Sequence, residues 1–272
     1  MSVYEVGVFQ RGFGTFPLRG GVLTQAIRYA IEVGYRAFDT AQWYGNEADL
    51  GAALTNAGVP RDEVLITTKV HPDNMATELF LPSVEKSLSD LRADVIDVLL
   101  LHWPPNDGPV EPSLELLQEA HRRGYARHVG VSNYTTAMMR KSLTVMDEPL
   151  AVNQVEFHPL LDQATVLAAS AETGIPLASY CSLARGEIFK YPVLGEIGER
   201  CGKTPAQVAL RWILQKGVAL NTMSTRKENI QANFDIVDFQ LTPDEMRKIE
   251  TLASANFRIS NITVVPYAPT WD

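Results

Sequence analysis

Three short apolar runs each end in one ionisable side chain: Arg36-Ala-Phe-Asp39, Leu65-Ile-Thr-Thr-Lys69 and Val98-Leu-Leu-Leu-His102. A fourth segment, Ala41-Gln-Trp-Tyr-Gly-Asn-Glu47, carries Tyr44 in a loop. A carboxylate, a phenol, an ammonium and an imidazole gathered at one point make a proton donor with a tuned pKa. Such a set suits reduction of a carbonyl, in which hydride reaches carbon and a proton reaches the developing alkoxide. A free tyrosine, with a pKa of about 10, protonates an alkoxide sluggishly at neutral pH. Lys69 beside it is expected to lower the pKa of Tyr44 by stabilising the phenolate. Asp39 would hold Lys69 and balance its charge, and His102 would orient the carbonyl oxygen. Each residue also has a plainer reading: a snorkelling lysine, a rim tyrosine, a buried structural histidine. Their joint occurrence at strand ends favours the chemical one.

Something must bring those strand ends together. Along the chain, strand-like and helix-like runs alternate, as a parallel sheet requires. Eight strand candidates are Gly12–Phe16, Arg36–Thr40, Leu65–Lys69, Val95–His102, His128–Asn133, Val152–Phe157, Leu177–Ser182 and Ala219–Met223. Amphipathic helices separate them. Leu23–Val33 has Ile27, Ala30 and Ile31 at helical spacing and Gly34 as a stop. Leu79–Leu91 places Leu79, Val84, Leu88 and Leu91 near one face. Ser113 is expected to cap a helix running to Gly124, and Thr204-Pro and Thr242-Pro open two more. No linker, low-complexity stretch or internal repeat divides the 272 residues. Eight strands in that length predict a single-domain (β/α)₈ TIM barrel, whose strand C-termini converge on one mouth.

Composition excludes several classes. Hydrophobic content of 46% and charged content of 21% are ordinary for a globular protein. A formal charge of −8 argues against a nucleic-acid partner, and any anionic cofactor would need a local basic cluster. The two cysteines, Cys181 and Cys201, form no CxxC, so a reducing compartment is expected. The N-terminus lacks a basic region followed by an apolar one, and no run approaches the ~18 apolar residues of a membrane span. A cytoplasmic monomer without membrane partners is expected. Asn133-Tyr-Thr and Asn261-Ile-Thr match the glycosylation pattern, without consequence in a cytosol. His71 and His158 precede prolines, and His121 and His128 flank a helix-to-strand turn, so all four read as structural. No histidine pair has metal-ligand spacing with a third ligand, so no metal is expected.

Several blocks in order carry a family resemblance: Gly12-Phe-Gly-Thr-Phe16, Phe38-Asp-Thr-Ala-Gln-Trp-Tyr-Gly-Asn-Glu47, Thr67-Thr-Lys69, Leu99-Leu-Leu-His-Trp-Pro104, Gly130-Val-Ser-Asn133, Asn153-Gln-Val-Glu-Phe157 and Trp271-Asp272. With these, the chain resembles the aldo-keto reductases nearly end to end, and most closely their bacterial 2,5-diketo-D-gluconate-reductase-like branch. The resemblance implies a catalytic tetrad of Asp39, Tyr44, Lys69 and His102. It also implies NADPH lying across the mouth without a Rossmann domain, and the chain has no strand–GxGxxG–helix unit. Ser132, Asn133 and Gln154 would then hold the nicotinamide carboxamide, and Tyr180 would stack on its ring. Ser182, Leu183 and Arg185 would pass over the pyrophosphate.

At the adenosine end the sequence departs from the family, where an Ile-Pro-Lys-Ser block is often followed by Arg and Glu-Asn. Met223 stands for the lysine, Asn229 for the arginine and Ala232 for the glutamate, while Ser224 and Asn233 remain. Ser224, Thr225, Arg226, Asn229 and Asn233 are the expected contacts there. Arg226 and Lys227 form a cation pair at a helix start, unfavourable toward the helix dipole unless an anion such as a 2′-phosphate faces it.

Phe16, Trp43, Trp103 and Trp271, with Phe257 as a further candidate, are expected to wall an apolar pocket for small aldehydes, ketones, α-dicarbonyls, keto esters or keto sugars. Two other functions compete. One is a Schiff-base aldolase using Lys69 as nucleophile. The other is a non-catalytic nicotinamide-binding barrel serving as a regulatory subunit.

Overall fold

A computed structural model of the chain describes residues 3–5, 7–106 and 108–272. Eight parallel strands close into a barrel in chain order: β1 Arg11–Gly14, β2 Ala37–Asp39, β3 Leu65–Val70, β4 Ile96–Leu101, β5 Ala126–Ser132, β6 Asn153–Glu156, β7 Leu177–Tyr180 and β8 Ala219–Thr222. Closure comes from β8 pairing back onto β1, with Gly12 opposite Asn221. Each expected strand is present, and most are shorter than expected. Two of them end where the next residues turn left-handed, at Asn133 (φ 65°) and Cys181 (φ 51°).

The helices are α1 Gly20–Val33, α2 Glu47–Asn56, α3 Thr77–Leu91, α4 Glu111–Arg122, α5 Thr136–Ser142, α6 Ala164–Thr173, α7 Pro192–Cys201, α8 Pro205–Gln215, α9 Lys227–Phe234 and α10 Pro243–Glu250. Gly34 ends α1 at φ 117°, a conformation that a side chain would strain. Thr204 and Thr242 close capping boxes with Gln207 and Glu245, so both expected starts are present. Two local expectations fail. Ser113 lies inside α4, where its hydroxyl donates to the Val110 carbonyl instead of capping the helix. On α3 the buried stripe begins at Phe80, and Leu79 points outward at 45% exposure, because the helix phase is set by Phe80, Val84 and Leu91.

Alternate strand residues fill the barrel, as its two-residue period requires. Ala37, Leu65, Val98, Leu100, Val152, Ala178 and Ala219 form that interior cluster. The N-terminal turns plug its lower end: Tyr4 joins the cluster and its hydroxyl pairs with Thr67 at 2.5 Å. Gly130 of β5 is needed for the close packing, since a Cβ there would meet the Val152 carbonyl at 2.7 Å and Leu100 at 2.8 Å. The larger apolar cluster packs the helices onto the strands. Among the described residues no helix is long and apolar enough to cross a membrane.

Candidate active site

Asp39 ends β2, Lys69 lies near the end of β3, and His102 follows β4 directly. Parallel pairing brings these strand ends to one side of the barrel. Tyr44 arrives on a short 3₁₀ turn, Gln42–Tyr44, that follows β2. Asn46 braces that turn: its amide donates to the Leu18 carbonyl at 2.8 Å, and its oxygen accepts from Thr40 at 2.6 Å. Arg19 adds a hydrogen bond to the Tyr44 carbonyl at 2.8 Å.

The four residues meet. Lys69 is fully buried, and its ammonium donates to Asp39 Oδ1 at 2.5 Å, the Thr40 carbonyl at 2.8 Å and the Tyr44 hydroxyl at 3.4 Å. The other Asp39 oxygen accepts from the Gln154 amide at 2.7 Å. His102 sits edge-to-face with Tyr44, ring centroids 5.6 Å apart, and stacks on Trp103. A lysine with its three N–H groups occupied and no exposed surface is a poor nucleophile, which weighs against a Schiff-base role for Lys69.

The electrostatics correct one expectation. Burial raises the Tyr44 phenol well above its ordinary value, and the Asp39 charge adds to the rise. Lys69, 3.4 Å from the hydroxyl, does not offset that rise in the folded protein. Burial also lowers the Lys69 ammonium against the opposing pull of Asp39. His102 is held well below its ordinary value, first by burial and then by the Lys69 charge. The cluster therefore presents a protonated phenol and a neutral imidazole.

These groups open onto a cavity of about 810 Å³, whose lining is mainly apolar. Phe16, Trp43 and Trp103 wall it beside Tyr44 and His102. Trp271 does not. It lies behind Trp103, ring centroids 6.3 Å apart, with the Arg258 guanidinium over its face. Phe257 is likewise outside, beside His158. The tail contributes Ser260, Val264 and Val265 instead, which no pattern in the sequence had marked.

Ser132, Asn133, Gln154, Tyr180, Ser182, Leu183 and Arg185 line the other wall. Their polar groups already bond one another: Tyr180 donates to Asn133 Oδ1 at 2.7 Å, and Ser132 donates to the Gln154 carbonyl at 2.7 Å. Cys181 joins this wall unforeseen, its thiol pushed up to about 11 chiefly by burial. From β8 come Asn221 and Thr222, and Met223 follows the strand where the cavity lining stops.

Beyond Met223 the expected residues spread out. Ser224, Thr225, Arg226 and Asn229 lie outside the cavity lining, and Asn233 is buried within α9. The cation pair is split. Lys227 turns to α1, where Glu32 accepts from it at 2.6 Å and Tyr29 lies under its ammonium. Arg226 points to solvent with 73% of its side chain exposed, near Glu228 at 3.7 Å. Among the described residues, no group of three His, Cys, Asp or Glu side chains could hold a metal ion.

The site is thus an Asp39–Lys69–Tyr44–His102 cluster at the C-terminal mouth of a closed eight-stranded barrel, and comparison with known proteins gives its family. Residues 13–254 match the model of the Aldo/keto reductase family, and the chain belongs to that family. It is 39% identical over 264 residues to methylglyoxal reductase DkgB of Escherichia coli O157:H7, covering 96% of this chain and 98% of that one. An uncharacterised oxidoreductase of Bacillus subtilis, YtbE, is 35% identical over 91% of this chain and 90% of its own. Among solved structures, one described as a 2,5-diketo-D-gluconic acid reductase B superposes with a TM-score of 0.94 at 42% identity, covering 100% of this chain and 97% of that one. The aldo-keto reductase of Bombyx mori in complex with NADP gives 0.86 at 29% identity, over 95% and 94% of the two chains.

Proposed function

We propose that this chain reduces small aldehydes and ketones with NADPH, using Tyr44 as the proton donor. The observation that carries the reading is the Tyr44 hydroxyl at 3.4 Å from the buried Lys69–Asp39 pair, facing a cavity shared with His102. The cofactor fits the donor set along the far wall: an aromatic face at Tyr180, amides and a hydroxyl at Asn133, Gln154 and Ser132, and a cation at Arg185. Bound there, the nicotinamide supplies hydride. To hold its carboxamide, Ser132 and Asn133 would give up their mutual hydrogen bond and Gln154 its bond to Asp39. Arg185 would meet the pyrophosphate charge.

The protein side of the reaction follows from the cluster. His102, neutral, donates a hydrogen bond from Nε2 to the carbonyl oxygen and turns it toward Tyr44. As charge develops on that oxygen, Tyr44 passes its proton to it. Lys69 stabilises the phenolate left behind, and Asp39 keeps the ammonium in place. The apolar wall of Phe16, Trp43 and Trp103 excludes water around the carbonyl. Both DkgB, named for methylglyoxal, and the diketogluconate-reductase structure support a small dicarbonyl or keto substrate.

Tyr44→Phe tests the reading. Its kcat with NADPH and a panel of carbonyls should fall by about 10²- to 10⁴-fold, the contribution of a positioned proton donor. NADPH binding, followed by tryptophan fluorescence, should be nearly unchanged. Reduction at close to the wild-type rate would overturn the mechanism.

A further inference from the structure

Glu156, the last residue of β6, is fully buried although it takes no part in the cluster around Tyr44. Its carboxylate accepts from two consecutive main-chain N–H groups of the C-terminal tail: Ile259 on Oε1 and Ser260 on Oε2, each at 2.7 Å. His158, also fully buried, donates to Oε1 from Nε2 at 2.9 Å. Burying a carboxylate is costly unless its hydrogen bonds are made. Here two of the three donors belong to the tail, so the barrel recovers that cost only when the tail is docked.

What the docked tail does is visible a few residues on. Ser260, Val264 and Val265 face the 810 Å³ cavity that Tyr44 and His102 share. The Val264 and Val265 N–H groups donate to the Asn261 carbonyl at 2.9 and 2.8 Å, so the valines move as one body with the pinned segment. On the opposite rim the Tyr267 hydroxyl donates to Asp73 at 2.6 Å, an exposed bond, and the Tyr267 ring packs edge-on to Trp43. The tail is thus a strap across the mouth, with a buried charged footing at Glu156, a main-chain bond from Phe257 to the Leu160 carbonyl at 2.8 Å beside it, a solvated footing at Asp73, and its end held where Asp272 accepts from the Thr136 N–H at 2.7 Å. The buried footing sets how deeply the valines enter, because a solvated hydrogen bond exchanges readily with water.

Resting on the carbonyl-reductase reading, we propose that Glu156 is a positioning residue for substrate selection. It holds Ile259 and Ser260 so that Ser260, Val264 and Val265 form the tail-side wall of the carbonyl pocket.

The test compares wild type, E156Q, Glu156→Asp and the pair Val264→Ala/Val265→Ala with NADPH and two carbonyls, methylglyoxal and a bulky aryl ketone. The amide of E156Q presents N–H groups to a backbone donor, and Asp keeps the charge but withdraws it by one methylene. In each variant KM for methylglyoxal should rise about tenfold, the scale of a lost pocket contact. The kcat should stay within about twofold, and kcat/KM should shift toward the ketone. Combining E156Q with the valine pair should add little, since both remove one wall. Hydrogen exchange should quicken at Ile259 and Ser260 in E156Q or Glu156→Asp, while the β-strand amides keep their protection. Unchanged KM, a uniform loss of kcat for both carbonyls, or unchanged exchange at Ile259 and Ser260 would overturn the proposal. A wild type inactive on every carbonyl would overturn the reductase reading, and the exchange measurement would still judge the footing.

Discussion

At the scale of single residues, the charge state of His102 is the point most open to measurement. Burial and the Lys69 charge hold its imidazole well below the ordinary value of about 6.5. The neutral ring is thereby favoured by the fold. That stabilisation is complete above the unfolded value, about 6.5, and is lost as pH falls through the lower folded value. Two readouts follow. In reduction, kcat/KM should show no acid limb centred near pH 6.5, since the ring is already neutral there. In urea titrations the midpoint should begin to fall as pH drops below about 6.5. An acid limb with its midpoint near 6.5 would show that His102 titrates as a solvated imidazole and is not held by the site. Tyr44 keeps its proton in the same range, because burial and Asp39 both favour the phenol.

At the scale of elements, strand ends aim the chemistry and interior residues hold the ends in register. Gly130 is the clearest case. Its place in β5 faces the Val152 carbonyl and Leu100 of the barrel interior, with room for no Cβ. Gly130→Ala must push β5 from its neighbours, an overpacking worth about 1–3 kcal/mol. Urea or thermal unfolding should register that loss. Activity should drop as well, since Ser132 and Asn133 follow two and three residues later at the mouth. A variant as stable as wild type would mean that the barrel widens at β5 without cost. The helix caps matter less for function. Thr204 and Thr242 secure α8 and α10 on the outside of the barrel, where each cap is worth about 1 kcal/mol.

At the scale of the whole molecule, a formal charge of −8 opposes any anionic cofactor, so local cations decide which one is held. Arg185 lies on the cavity wall, in the region expected to carry the pyrophosphate common to NADH and NADPH. Arg226 is the cation left for a 2′-phosphate, since Lys227 is committed to Glu32. Because Arg226 is 73% exposed, its contribution is that of a solvated pair, about fivefold in affinity at most. Arg226→Ala should weaken NADPH by up to about that factor and leave NADH unchanged, and added salt should narrow the difference. Fluorescence titration of both cofactors measures it. Equal losses for the two would show that Arg226 does not read the phosphate.

Local patterns in the chain carry the barrel, because two-residue and helical periodicities are properties of neighbours in sequence. The same holds for Asp39, Tyr44, Lys69 and His102, each marked by a strand end or by the loop after it. Strand order brings Asp39, Lys69 and His102 together, and the braced turn after β2 adds Tyr44. The tertiary structure decided what depends on distant partners. Phe80 rather than Leu79 faces the core because helix phase is fixed by what packs against it. Trp271 gives way to Val264 and Val265 at the pocket because the path of the tail is set by Glu156, about a hundred residues earlier in the chain. The Tyr44 phenol rises instead of falling because burial and the Asp39 charge act as sums over the folded surroundings, which no spacing of residues encodes.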